Sequence, residues 1–328
     1  MSLTEFDIID RYFTDISPKG EGVLLGVGDD CALLQPMANE QLAVTVDNLV
    51  MGRHFDDRVP VSEVAFKSVS VSVSDLAAMG AKPMWMTLSL TIAEADKDWL
   101  KAFSKGLAEA LDNYQVALVG GNIAQGPTNI GTQLIGSVAT GQAMTRSGAR
   151  AGDLIYVSGS FGAESLGLQL HLNQWQTQEL SAQEKSQLLH SWYRPMAQSR
   201  LGQQLRGLAS SCIDISDGLL GDLQHILRSS DVGARLQLRD IPLYPYLNAM
   251  IENGSEELAV IFERFVCAGE GYQLCFTVHP DKKKQVQQLS KRENVALSCI
   301  GVIEEQHGLR SYYENTLLNL NSAAYRHF

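Results

Sequence analysis

The chain has 328 residues, 45% of them hydrophobic, which suffices for two ordinary domains with their own cores and no disulfide or metal staples. A formal charge of −11 excludes a nucleic-acid groove, because phosphate backbones demand basic surfaces, and it suits divalent cations instead. Five cysteines (Cys31, Cys212, Cys267, Cys275, Cys299) are odd in number, scattered and without CxxC spacing. With no signal-peptide pattern at the N-terminus and no stretch approaching a membrane span, they read as reduced core residues of a cytoplasmic protein.

In chain order, Ser2 and Glu5 fit a capping box for a first amphipathic helix running through Phe13. Leu24 to Leu34 sets the paired acids Asp29 and Asp30 between two apolar runs, with glycines at 26 and 28. A turn in which Asp side chains bond their own backbone is one reading, and a metal site at a strand end is the other. Leu42 to Val50 is a strand with Asp47 inside it; an ionisable group among Val and Leu is costly unless paired or metal-bound. His54 follows, and taken alone it reads as a structural histidine.

Glu63 to Pro83 centres on Asp75. Val69 to Ser74 alternates like a strand, but Phe66, Val69, Val73, Leu76 and Gly80 recur at steps of three and four. A helix is therefore expected, with Ala65, Ser68, Ser72 and Asp75 as a small polar stripe that lets it lie close to a neighbouring backbone. Gly80 ends the helix and Pro83 prevents its return. Then come a strand at 84–92, a helix at 98–114, a short strand at 116–119 running into Gly120 and Gly121, and a strand at 131–140. This alternation makes the first domain α/β, and Thr145 to Gly152 reads as the bridge to a second.

Asp153 to Ser160 is a strand leading through Gly159 and Gly162 to a helix opening near Glu164, a turn whose amides could cradle phosphate, although no GxxxxGK[ST] exists. Residues 195–208 read as helical. Cys212 to Leu223 carries Asp214, Asp217 and Asp222; Asp217 could cap the helix starting at Gly218, whereas Asp214 sits inside an apolar strand. A strand at 234–238, the segment Cys267 to Val278, a Lys-rich helix at 281–292 and closing strands complete the chain. The Lys282 to Lys284 run is a solvated helix face.

The ordered series GDDCALL, TVDNLVMGRHF, SDLAAMGAKP, LVGGN, TRSGARAGD, DISDGLL and GEGYQLCFTV resembles the thiamine-monophosphate kinases, within the superfamily of aminoimidazole ribonucleotide synthetase. The resemblance extends from the first helix to the closing YRHF. It implies a two-domain α/β (α+β) fold, 1–143 and 144–328, with the N-terminal sheet pairing across a homodimer. It also implies a kinase that passes the γ-phosphoryl of ATP directly to thiamine monophosphate with Mg2+. Asp30, Thr45, Asp47, Asp75, Asp214 and Asp217 then fall on metal positions. Gly120, Gly121, Arg146 and Ser216 fall on nucleotide positions, and His54, Glu270 and Tyr325 on positions that meet the thiamine phosphate. The first domain's acids should face the strand end bearing Asp214 and Asp217. No residue need act beyond metal and substrate positioning, since phosphoryl transfer needs in-line placement and charge neutralisation more than a covalent catalyst.

Departures from the pattern are Val46 for Thr, Asn122 and Ile123 in place of Asp-Thr, Ala163 for an acid, Gly271 for Asp and Gln273 for Glu. Val46 and Asn122 are expected to meet the ion that Asp47 helps to hold, so that ion should bind about tenfold or more weakly. The alternative reading is a catalytically weakened paralogue that binds nucleotide and metal in a regulatory role; a third is another chemistry of the same superfamily.

Overall fold

The computed structural model describes residues 4–175 and 180–320. The chain divides into two compact units, Met1–Leu76 with Ala81–Ala143, and Ala77–Gly80 with Met144–Phe328.

The first unit begins with α1 (Glu5–Tyr12). Its capping box is Thr4 and Asp7, with the Asp7 N–H donating to Thr4 Oγ1 at 3.2 Å and the Thr4 N–H donating to Asp7 Oδ2 at 2.9 Å. The expected Ser2–Glu5 box is thus displaced, and Ser2 itself lies outside the described residues. Strands β1 (Val23–Leu25) and β2 (Leu33–Leu34) pair antiparallel around the Asp29–Asp30 turn. There follow β3 (Glu40–Val50), α2 (Val61–Ala78), β4 (Lys82–Ile92), α3 (Lys97–Tyr114), β5 (Ala117–Gln125) and β6 (Asn129–Ala139). Among the described residues these strands form a sheet in the order β3-β6-β4-β5, parallel only between β4 and β5.

Helix α2 resolves the competition between period two and period 3.6. Its valines and its serines are both buried, Val69, Val73, Ser68, Ser70, Ser72 and Ser74 all at 0% exposure, so the helix is enclosed on every side rather than amphipathic. Small hydroxyls suit that position because each finds a partner. Ser68 Oγ donates to Ala65 O at 2.8 Å, and Ser70 Oγ lies 2.9 Å from the Tyr114 hydroxyl. Gly80, at φ 68°, closes the helix as expected, with the Ala81 N–H returning to Leu76 O at 2.9 Å.

Helix α3 crosses α2 where Gly106 has no side chain; a Cβ there would stand 2.0 Å from Ser62 O. Gly→Ala ordinarily stabilises a helix, by about 0.4–1 kcal/mol. Here the sign reverses. Gly106→Ala should cost about 2–3 kcal/mol, read as a lowered urea midpoint at unchanged m, because backbone rather than a flexible side chain blocks the methyl.

The second unit contains β7 (Leu154–Ser158), α4 (Ala163–His171), α5 (Ala182–Tyr193), α6 (Ser199–Leu205), β8 (Ser211–Ile215), α7 (Leu219–Ser230) and β9 (Gly233–Gln237). It continues with α8 (Pro245–Glu252), α9 (Leu258–Ile261), β10 (Gln273–Val278), α10 (Lys283–Glu293), β11 (Leu297–Glu304), β12 (Gly308–Tyr313) and β13 (Thr316–Leu318). The sheet order is β13-β12-β9-β11-β7-β10-β8, antiparallel except between β12 and β9, so this unit is α+β. Both faces are covered. Ile155, Val157 and Cys275 join one apolar cluster with α7, while Tyr156, Leu274, Phe276 and Val278 join another with α6 and α10, the strand period of two made visible.

Two expectations need correction. The helix read over 195–208 is confined to α6. Within the segment Cys267 to Val278 strand β10 begins at Gln273, the residues before it being bent through left-handed Glu270 (φ 71°) and Tyr272 (φ 47°). Cys31 is exposed rather than in the core, because it sits in the open turn between β1 and β2; Cys212, Cys267 and Cys275 are buried, and all five thiols are free.

Candidate functional site

In the first unit, strand alternation turns Thr45 and Asp47 to the face of β3 that α2 covers. There the Thr45 hydroxyl donates to Asp75 Oδ2, and Ser72 Oγ donates to Asp47 Oδ2 at 2.8 Å. The small-residue face of α2 thus brings two carboxylates from residues 28 positions apart to one place. Burial, with the Asp75 charge adding to it, pushes the Asp47 carboxyl up to about 6 against the Ser72 bond. The strain is what a cation would relieve. Among the described residues no group of three or more His, Cys, Asp or Glu is placed to hold a metal ion by itself. Two carboxylates and a hydroxyl, all hard oxygens, fit Mg2+, which keeps much of its shell as water and substrate phosphate.

The other first-unit candidates lie differently. Asp30 is in an exposed turn and its N–H donates to Asp29 Oδ1 at 2.8 Å, the local side-chain-to-backbone bond of the turn reading. His54 Nδ1 accepts the Val50 N–H at 3.0 Å, which puts the neutral ring's proton on Nε2. Gly121 is required by packing, since a Cβ would meet Leu88 O at 2.1 Å; Gly120 is not, since a Cβ there meets nothing within 4 Å.

The expectation that Val46 and Asn122 meet one ion is overturned for a single chain. Val46 is 61% exposed on the face of β3 opposite Thr45 and Asp47. Asn122 is on β5, three ladder steps from β3, or roughly 14 Å at ordinary strand spacing.

In the second unit Asp214 is buried on β8, and Ser216 and Asp217 occupy the turn into α7. The Glu270 N–H donates to Ser216 O at 3.0 Å and the Tyr272 N–H to Ile215 O at 2.9 Å, so the Gly269–Tyr272 segment runs alongside that turn. Gly269 permits the approach, because a Cβ would stand 2.2 Å from Ser216 O. Arg146 is exposed in a loop fixed by Ser230, whose Oγ accepts from the N–H groups of Gly148 and Ala149 at 3.1 and 3.2 Å and donates to Arg146 O at 3.2 Å. The His225 ring is held low by burial and by the Arg228 and Arg146 guanidinium groups, against the Asp217 charge. The structure therefore assembles Asp214, Ser216, Asp217 and Glu270 at one end of the β8–β10 pair, whereas the backbone of the Arg146 loop lies beside the start of β8, where the Cys212 N–H donates to Thr145 O at 2.9 Å. Tyr325 lies outside the described residues.

Sequence reasoning missed Glu164 and Asp222 as site residues. Asp222 Oδ2 accepts three backbone N–H bonds from Ser216, Asp217 and Gly218, at 3.0, 3.1 and 3.2 Å, so the helix cap assigned to Asp217 belongs to Asp222. Burial pushes Asp222 up to about 7, with the Asp217 charge adding and the three donors opposing. Glu164, in the first turn of α4, is pushed up to about 7 by burial and by Glu270. Its Oε2 would lie 3.9 Å from a Cβ on Gly271, so it stands where an acid at 271 would reach. Gln273 is packed inside, accepting from Ser158 Oγ at 2.8 Å, where a carboxylate would carry a buried charge.

Glu164 yields a pH prediction. Its folded carboxyl binds a proton more tightly than the unfolded one, so stability is present at low pH and is lost as pH rises from the ordinary carboxylate range through about 7. Glu164→Gln stays neutral throughout. The variant should melt with wild type near pH 4.5 and several degrees above it at pH 8, a difference of roughly 2 kcal/mol after allowance for partial exposure. Coincident melting curves at both pH values would refute the assignment.

Comparison with known proteins shows the family. The AIR synthase related protein models match in sequence, the N-terminal domain over residues 28–143 and the C-terminal domain over 150–314. The thiamine-monophosphate kinase of Escherichia coli (strain K12) is 38% identical over 329 residues, covering 100% of this chain and 99% of its own; that of Haemophilus influenzae is 38% identical, covering 94% and 92%. The crystal structure of thiamine-monophosphate kinase from Stenotrophomonas maltophilia K279a matches with a TM-score of 0.82 at 36% identity, covering 96% of this chain and 99% of that one. AaThiL complexed with AMPPCP and TMP matches with a TM-score of 0.75 at 29% identity, covering 99% and 97%. With both domain models matched in order and full-length relatives well above 30% identity, this chain belongs to the thiamine-monophosphate kinase family of AIR synthase related proteins.

Proposed function

We propose that the protein phosphorylates thiamine monophosphate to thiamine diphosphate, taking the γ-phosphoryl of ATP by direct in-line transfer with Mg2+. The observation that carries this reading is the all-oxygen Thr45–Asp47–Asp75 cluster, whose crowded carboxylates call for a divalent cation in a chain of this family. Bound Mg2+ would neutralise phosphate oxygens and help to align the transferring group. Asp47 and Asp75 with Thr45 would hold one such ion, and Asp214 and Asp217 offer carboxylates in the second unit. The open surface over Gly120 leaves room for close backbone approach by a nucleotide phosphate, and Arg146 and Ser216 supply a cation and a hydroxyl donor for others. Asp30 remains a further metal candidate; His54 and Glu270 remain candidates for the thiamine phosphate. The acceptor is a phosphate monoester, already ionised near neutral pH, so no strong general base is needed.

Incubation of the folded protein with ATP, Mg2+ and thiamine monophosphate should release ADP and form thiamine diphosphate in equal amounts. No product above a no-enzyme control would overturn the reading. It would favour a nucleotide-binding paralogue without turnover, to which Asn122, Ala163 and Gly271 point. The exposed apolar row on β3 supports a homodimer. Among the described residues no helix is long and apolar enough to cross a membrane, and with free thiols this supports a cytoplasmic setting.

A further inference from the structure

The turn from β8 into α7 has the form of an anion-binding nest, with the consecutive N–H groups of Ser216, Asp217 and Gly218 converging at a helix start. The nest is already filled. One oxygen of Asp222, 4% exposed, accepts all three, while the Asp222 N–H closes the first helical turn on Gly218 O at 3.0 Å. Gly218 itself provides no side-chain cap, and its left-handed backbone (φ 119°) faces Cys267 O, which a Cβ would meet at 2.2 Å. The turn thus has one internal anchor, and a ligand phosphate cannot use the three amides that anchor occupies.

We propose that Asp222 is a positioning residue of the phosphoryl-transfer site, whose carboxylate fixes the Ser216–Gly218 turn so that Asp217 and the Ser216 hydroxyl are presented in a single arrangement. The inference rests on the kinase reading only for what that arrangement serves. Its physical basis is that charge-assisted bonds to a buried acceptor are strong and directional, and that small misplacement of a ligating group costs rate out of proportion to stability. It follows that the nucleotide phosphates meet side chains and metal in this unit, not the amides at the start of α7.

The test compares wild type with Asp222→Asn, which keeps an oxygen acceptor but loses the charge, and Asp222→Ala, which loses both. In Asp222→Asn, with an unchanged circular dichroism spectrum, the half-saturating Mg2+ concentration should rise about tenfold or more and kcat should fall. KM for thiamine monophosphate should stay within about twofold, and Asp222→Ala should be worse on the first two counts. Calorimetric affinity for Mg2+ with AMPPCP should fall in the same order, and this reads the turn even if wild type proves inactive, an outcome that would sink the kinase reading alone. Amide hydrogen exchange should find residues 216–218 strongly protected in wild type and exchanging at least tenfold faster in Asp222→Asn, with the core unchanged. A merely structural cap would lower the folded fraction without moving the Mg2+ midpoint. That result, or wild-type kinetics in Asp222→Asn, overturns the proposal. Should neither variant fold, fast exchange of amides 216–218 in the wild-type protein would overturn it and protection would uphold it.

Discussion

Asp75→Asn should leave a folded protein whose kcat falls by about a hundredfold to a thousandfold, the range found when one preorganised electrostatic contact to a developing charge is removed. The substitution conserves volume, and an amide oxygen can still accept the Thr45 hydroxyl bond, so the packing of α2 on β3 has no reason to change. What disappears is the negative charge that, after burial itself, raises the neighbouring Asp47 carboxyl. The two effects have opposite signs. Removing one of two crowded carboxylates relieves repulsion in the folded state, so the melting temperature should hold or rise while turnover collapses. A pair kept only to orient β3 against α2 would behave otherwise, losing stability and activity together. Parallel measurement of kcat and of thermal unfolding distinguishes the two; wild-type turnover in the folded variant would remove Asp75 from the site.

The same pair shows how far the sequence carries the site. An acid inside a Val-rich strand and another on the small-residue face of a helix each announce themselves locally, because burying a lone carboxylate is costly. Their meeting depends on α2 lying against β3, which the serine stripe permits. Val46 shows the limit. Adjacency along a strand places residues on opposite faces, so the neighbour of a metal-facing acid is the residue least able to share its ion. Asp222 was equally hard to read. A first-turn acid four residues after a glycine cap reads as a dipole partner, and only three converging N–H groups reveal its role. The segment from Glu257 to Tyr272 was not legible either. Its π-helical turn at Phe262–Val266 and its left-handed residues follow from tertiary bonds, such as those from Ser165 Oγ to Phe265 O and Gly269 O at 3.2 and 3.0 Å, and local propensity does not encode them. Helix α2, by contrast, was legible despite its misleading alternation, since steps of three and four connect its largest side chains.

The outer face of β3 carries the last expected result, that Val44→Glu with Val46→Glu converts a dimer into a monomer. Among the described residues strand β3 is an edge, paired only with β6, and alternate residues expose Leu42 (47%), Val44 (59%), Val46 (61%) and Val50 (39%) in one row. An unprotected apolar edge invites pairing with another chain, and natural proteins blunt such edges with charge or cover them. Here the central positions carry no charge, so a cover is required, and a second copy of the same strand offers a self-complementary one. Full burial of each valine is worth about 1.5–3 kcal/mol, and in a two-fold interface every substitution acts twice. Two glutamates per copy would therefore remove four buried valines and bring like charges together. Within each chain the fold should survive, because both side chains point away from Thr45, Asp47 and α2. Light scattering at micromolar concentration should give a dimeric mass for wild type and a monomeric mass for the double variant, with matching circular dichroism spectra. A monomeric wild type, or a dimer that persists in the variant, would place the cover of β3 elsewhere.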